Sequence, residues 1–178
     1  MKMDIANFIF QAGNLKRTKR SGWLTIGIKD CESVAEHSFR ASLIAYAIAK
    51  GEGLGKERAM EAMFLALLHD IHEARIGDLH RLSKKYAKLD EKKAMEDSLG
   101  PMAKDANALL CDKKLQIIVK DADLLEMFFQ AREYSDEGNR YAKEWLQPKK
   151  LRTASARAIY KKMAKQDSRA WLLEAVEW

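Results

Sequence analysis

Apolar residues return every three to four positions through most of this chain, a period that predicts amphipathic helices. Ile5, Phe8, Ile9 and Ala12 make the first such row, in a helix over residues 3–13 that Gly13-Asn14 stops. Residues 15–29 are basic, contain Ser21-Gly22 and Gly27, and read as a loop because no period is sustained. Ser33 and Glu36 form a capping-box pair at the start of a strongly periodic run. There Ala41, Ile44, Ala45 and Ile48 form a stripe that His37, four residues before Ala41, extends toward the helix start. A further helix from about residue 56 buries Ala62, Leu65 and Ala66, and His69 continues that row. Both imidazoles are therefore expected to point inward near helix ends.

After Gly77-Asp78 the chain turns polar, then becomes helical over 90–110 with a break at Gly100-Pro101. A long helix over 113–135 carries Leu115, Ile118, Val119, Ala122, Leu125 and Phe129 on one side. On its wheel Glu126 lies within the stripe, either as a partner to a buried group or as a carboxylate reaching outward. Asp123 and Asp121 flank the stripe, and the wheel does not choose between them. Residues 151–165 and 167–176 read as two more helices, with Trp171 and Trp178 docking this tail.

Composition agrees with an all-α, single-domain fold over 1–178: 178 residues, 47% apolar and 33% charged, with 2 Pro and 9 Gly. Cys31 and Cys111 belong to no CxxC, so neither a disulfide framework nor a thiolate zinc site is indicated, and a reducing cytoplasm is expected. The longest apolar stretch, 62–68, is far too short to span a membrane, and the charged Lys2 and Asp4 leave no room for a signal peptide. The formal charge of +6 is spread over several segments without interleaved aromatics, which argues against a nucleic-acid polymer as partner.

His37, His69-Asp70 and an acid on the long helix make a mixed nitrogen and oxygen donor set, suited to a divalent cation that polarises phosphate. The segments Glu32-Ser33-Val34-Ala35-Glu36-His37-Ser38, Leu67-Leu68-His69-Asp70 with Glu73, Ile76-Gly77-Asp78-Leu79 and Val119-Lys120-Asp121-Ala122-Asp123 follow one another in the chain. In that order and at those spacings they resemble the H...HD...D pattern of the HD-domain metal-dependent phosphohydrolases, in particular the 5'-deoxynucleotidase branch with its bacterial and eukaryotic members. The likeness covers about 15–134, leaving helices over 151–177 to pack on that core.

The resemblance implies an HD-domain helical fold, one divalent cation held by His37, His69, Asp70 and Asp123, and Asp121 left at the surface. Manganese, cobalt, magnesium, zinc and iron all accept such a set. It further implies hydrolysis of the 5'-phosphate of nucleoside monophosphates, preferably 2'-deoxy forms, by a homodimer. Glu73, four residues past His69, is the candidate general base if the helix persists for another turn, and Asp78 on the next loop is a second catalytic acid. Arg20 and Trp23 resemble the pair that orients phosphate and excludes the 2'-hydroxyl, although Ser21-Gly22 separates residues that are adjacent in the bacterial members. Arg17 is the substitute for Arg20. Leu79, His80 and Arg81 complete the substrate loop, which lacks the bacterial proline. His72 is read as a partly exposed helix residue rather than a ligand of a second metal. Three rival readings remain: an HD hydrolase of nucleoside di- or triphosphates or cyclic nucleotides, a non-catalytic metal- or nucleotide-binding regulator, and a basic RNA-binding adaptor.

Overall fold

The structure, a computed structural model, describes residues 4–175. Nine α-helices appear among these residues: α1 Ile5–Gly13, α2 Ser21–Leu24, α3 Val34–Gly51, α4 Lys56–Leu68, α5 Glu73–Ile76, α6 Glu91–Leu99, α7 Ala103–Leu110, α8 Lys113–Asp136 and α9 Ala154–Met163. No β-strand occurs among the described residues, only an isolated antiparallel bridge between Lys19 and Ser33. The all-α expectation holds.

Three helices organise the site. Ser33 accepts from the Glu36 backbone while the Glu36 side chain returns to Ser33, so the predicted capping box starts α3 one turn before His37. A tight connection at Gly53, whose φ of 78° suits glycine, reverses the chain into α4. Alanines on the facing sides, Ala41, Ala45 and Ala49 against Ala59, Ala62 and Ala66, are fully buried and let the two backbones approach closely. In such an antiparallel pair the start of α3 lies beside the end of α4, which is how residues distant in sequence become neighbours. α8 packs across both helices, burying Leu115, Ile118, Ala122, Leu125 and Phe128 in the same cluster as Ile48, Leu65 and Met163.

Several sequence expectations need correction. Residues 15–29 are not a loop throughout: a 3-10 turn at Asn14–Lys16, the Lys19 bridge and α2 order them, because Trp23 is large enough to anchor the segment against Tyr134 and Trp145. The α1 row is only partly a core face, since Phe8 is buried while Ile5 and Ile9 are exposed. Residues 170–175 form a 3-10 helix rather than an α-helix, and Trp171, expected to dock the tail, is 70% exposed. Trp178 lies outside the described residues. Asp121 is fully buried instead of at the surface. It accepts from the Arg152 and Thr153 backbone N–H groups and from the Thr153 hydroxyl, fastening the start of α9 to α8.

Candidate active site

The end of α4 decides where the site sits. The helix stops at Leu68 with His69 as its C-cap, and a turn carries the chain through Asp70, Ile71 and His72 into the short α5. Glu73 therefore reaches the site from a new helix, not from one more turn of α4 as the sequence suggested. The His69 Nδ1–H donates to the Ala66 carbonyl at 2.6 Å, which turns Nε2 toward α3. His37, fully buried, is fixed in a similar way: its Nδ1 bonds to the Glu126 carboxylate, and its Nε2 faces His69.

The two Nε2 atoms are 3.3 Å apart. Asp70 Oδ2 lies 3.1 Å from His69 Nε2 and 3.7 Å from His37 Nε2. Asp123 Oδ1 lies 3.2 Å from His37 Nε2 and 3.9 Å from His69 Nε2. Donors that share one cation at about 2.1 Å are roughly 3.0–3.5 Å apart when the angle between them is near 90–110°. His37, His69 and Asp70 thus have close to the mutual spacing of a common coordination shell, and Asp123 lies at that spacing from His37, so the donors fit a divalent cation. Asp121, on the same helix as Asp123, is committed to α9 and takes no part.

Electrostatics reinforce this convergence. Burial and the Arg20 guanidinium oppose charge on His37, but hydrogen bonds to Asp123 and Glu126 overcome them and lift the imidazole to about 10. Burial alone would raise Asp70, yet His69 and Arg20 hold its carboxyl well below the usual carboxylate range. Protons on the imidazoles do here part of the work a cation would do. Arg20 reaches Asp70 Oδ2 at 3.3 Å and Asp123 Oδ1 at 3.9 Å, so a guanidinium stands directly beside the candidate ligands.

A cleft of about 290 Å³ opens from these groups, lined by Arg20, Trp23, Asp70, Glu73, Asp78, Leu79, His80, Arg81 and Asp123. Of the residues that the sequence put forward for substrate or catalysis, Arg20, Trp23, Glu73, Asp78, Leu79, His80 and Arg81 meet here, and Arg17, the substitute for Arg20, is not among the lining. Asp78 Oδ2 accepts from the Ser21 N–H at 2.5 Å and the Ser21 hydroxyl accepts from the His80 N–H at 2.9 Å, so α2 and the 78–81 loop form one wall. Trp23 is buried, with its indole N–H donated to Glu32 and its ring packed on Trp145. Glu73 is 5% exposed, and burial, then the charges of Asp70 and Asp78, push it up to about 9.

Around this cleft the structure decides between the two readings of Glu126 in favour of a partner to a buried group, and it adds residues that sequence reasoning missed. Glu126 is fully buried, and it joins His37 to Arg40, which also reaches Glu133 and Gln130. Its signal was present: it lies one turn past Asp123 within the apolar stripe. Trp145 and Lys84 also line the cleft, and neither carries any local sequence mark of it. His72, expected to be partly exposed, is 8% exposed because Ile71 and Ala74 beside it dock into the core.

Comparison with known proteins agrees with this geometry. A 5'-deoxynucleotidase of zebrafish, Danio rerio, is 34% identical over 145 residues, covering 75% of this chain and 70% of that protein. A genomics crystal structure is 38% identical with a TM-score of 0.81, covering 94% of this chain and 97% of that one. A coding region of Archaeoglobus fulgidus is 36% identical with a TM-score of 0.69, again over 94% and 97%. The HD domain family model matches residues 12–164, and the chain belongs to that family.

Proposed function

We propose that this chain is a metal-dependent phosphomonoesterase that hydrolyses the 5'-phosphate of nucleoside monophosphates, 2'-deoxy forms preferentially, releasing nucleoside and phosphate. The observation that carries this reading is the meeting of His37 and His69 with Asp70 and with Asp123, each carboxylate 3.1–3.9 Å from the two imidazoles, beside Arg20 and the buried Glu73. Similarity to proteins named 5'-deoxynucleotidase in zebrafish and human supports the choice of substrate.

His37, His69, Asp70 and Asp123 would hold the cation. When bound, it supplies Lewis acidity that draws charge off phosphoryl oxygens and makes an adjacent water more acidic. Arg20 orients the phosphate through its planar N–H fork, already aimed into the cleft by Asp70 and Asp123. Glu73 accepts the proton of the attacking water as the new P–O bond forms. Burial pushes its carboxyl up to about 9, and a cation held by Asp70 beside it would lower that toward neutral pH, where it can act as a base. As the bond from phosphorus to O5' breaks, the proton taken up by Glu73 passes by way of Asp78 on the facing wall to the leaving oxygen, and both carboxylates return to their starting state. Leu79, His80 and Arg81 border the sugar and base.

Trp23 supports the deoxy preference. Its only N–H is used by Glu32, so it offers a 2'-hydroxyl an apolar wall and no partner. A hydroxyl buried without compensation costs about 1–3 kcal/mol, a preference of roughly 5-fold to 150-fold for the deoxy substrate. Phosphate release from paired ribo- and deoxynucleoside monophosphates, measured cation by cation with Asp70→Ala as control, tests the proposal. Equal rates on both sugars remove the assigned selectivity, and no release with any cation removes the activity.

Assembly as a homodimer is part of the same reading, supported by the exposed apolar row Ile5 and Ile9 on α1 and by exposed Phe10. Light scattering on the eluting protein reads it directly. A cytoplasmic location is supported by the exposed free thiol of Cys111, which persists in a reducing compartment. Among the described residues no helix is long and apolar enough to cross a membrane.

A further inference from the structure

Two tryptophans line the cleft, and they are buried to different degrees. Trp23 is 2% exposed, with its ring edge-on to Tyr134 and 4.7 Å from the ring of Trp145 at a tilt of 38°. Little of it is left to meet a ligand. Trp145 is only partly buried, and the rest of its indole borders the same space as Arg20, Asp78 and Arg81.

Trp145 is held there from both sides. Past α8 the chain turns at Gly138, whose φ of 103° suits glycine, and Asn139 donates to the Ile26 carbonyl at 3.0 Å. The Asn139 side-chain oxygen accepts from the Tyr141 and Ala142 N–H groups. Ala142, fully buried, packs with Trp23 and Tyr134, and the 3-10 turn Ala142–Trp145 carries the indole onto α2. A β-carbon on Gly22 would lie 2.7 Å from that indole, so any larger residue would push the ring out of its seat. The pair Ser21-Gly22 between Arg20 and Trp23 thereby acquires a use: Ser21 ties α2 to the 78–81 loop, and Gly22 admits Trp145.

We propose that Trp145 is the platform on which the base of the nucleotide substrate stacks, with the phosphate at Arg20. This rests on the phosphomonoesterase reading and names the group that holds the base. Every base has a π-face, so stacking on an indole tolerates any pattern of donors and acceptors at the base edge. A purine overlaps the ring over a larger area than a pyrimidine and is held more tightly. At about 290 Å³ the cleft is at the lower end for a small-molecule site, which suits a flat base laid against one wall rather than enclosed on every side.

The test uses the full-length chain with Mn(II) and three substrates: 2'-deoxyadenosine 5'-phosphate, thymidine 5'-phosphate and the base-free 2-deoxyribose 5-phosphate. Trp145→Leu should raise KM for the adenine nucleotide about 10-fold, within the roughly 5-fold to 150-fold of one stacked base, with kcat nearly unchanged. The thymine nucleotide should lose less, and the base-free phosphate nothing. Trp145→Phe keeps a ring and should recover most of the affinity. In a Glu73→Gln background, which stops turnover, the adenine nucleotide should quench indole emission and the base-free phosphate should not, a reading that needs no change at Trp145. A loss shared equally by the base-free phosphate shows that Trp145 only supports α2, and it overturns the platform. So does equal quenching by both compounds, or none by either, and phosphate release then leaves the proposed function standing. Selective quenching with no phosphate released from any substrate supports the platform and sinks the activity.

Discussion

At the scale of single residues, the centre of the molecule depends on buried charges that hold one another. Glu126 has no solvent exposure, yet it carries a carboxylate shared between His37 Nδ1 and Arg40. By bonding Nδ1 it presents Nε2 toward His69, the orientation a cation would need. Glu126→Gln should weaken cation affinity about 10-fold to 100-fold in a calorimetric titration, while Arg40 keeps Glu133 and the fold survives. Glu32 offers a pH-dependent counterpart. Burial, then the nearby Glu126 charge, push its carboxyl up to about 7 from an ordinary 4.5. Because the folded value is the higher one, its contribution is fully present below pH 4.5 and is lost as pH rises through about 7. Glu32→Gln keeps an oxygen for the Trp23 N–H and removes the titration. Its melting temperature should gain on that of the wild type as pH rises across that window, by at most roughly 3 kcal/mol in stability. A difference that stays constant with pH would mean that Glu32 titrates normally.

At the scale of elements, α8 shows how one helix can serve two ends. Asp121 and Asp123 are two residues apart and therefore point about 200° apart around the helix. Asp121 reaches the start of α9, and Asp123 faces His37 and His69. Asp121→Ala strips the Arg152 and Thr153 N–H groups of their acceptor and should cost about 2–4 kcal/mol in denaturant unfolding, with cation affinity nearly intact. Asp123→Ala should do the reverse, leaving the chelated protein about as stable as wild type while abolishing tight cation binding. The sequence alone saw both acids flanking the apolar stripe and could not separate them, since the difference lies in which neighbouring element each one meets. Likewise, the period of α4 placed His69 inward, but where the helix ends and α5 begins was not legible, because turns at 69–72 are held by tertiary packing of Ile71 and Ala74.

At the scale of the whole molecule, α3, α4, α5 and α8, with the α2 wall, meet at one cluster of like and unlike charges, so occupancy of the site and folding are linked. A ligand that binds only the folded chain stabilises it by about 2.7 kcal/mol at a hundred times its dissociation constant. Adding Mn(II) to chelated protein should therefore raise the melting temperature by several degrees, and His69→Ala should blunt the rise. A melting temperature indifferent to the cation would argue that the donors at 3.1–3.9 Å hold only one another.

What the sequence determined by itself was the longer amphipathic helices, the Ser33 cap and the inward direction of His37 and His69, all of which follow from local periodicity and backbone hydrogen bonding. The order of its motifs also marked the residues that later lined one cleft. Tertiary structure alone decided that Asp121 locks α9, that Glu126 steadies His37, that α2 orders a segment without a period, and that His72 is buried with a free ring nitrogen. Each of these depends on contacts between residues far apart in the chain, and a local pattern carries no record of which distant element will fill the space beside it.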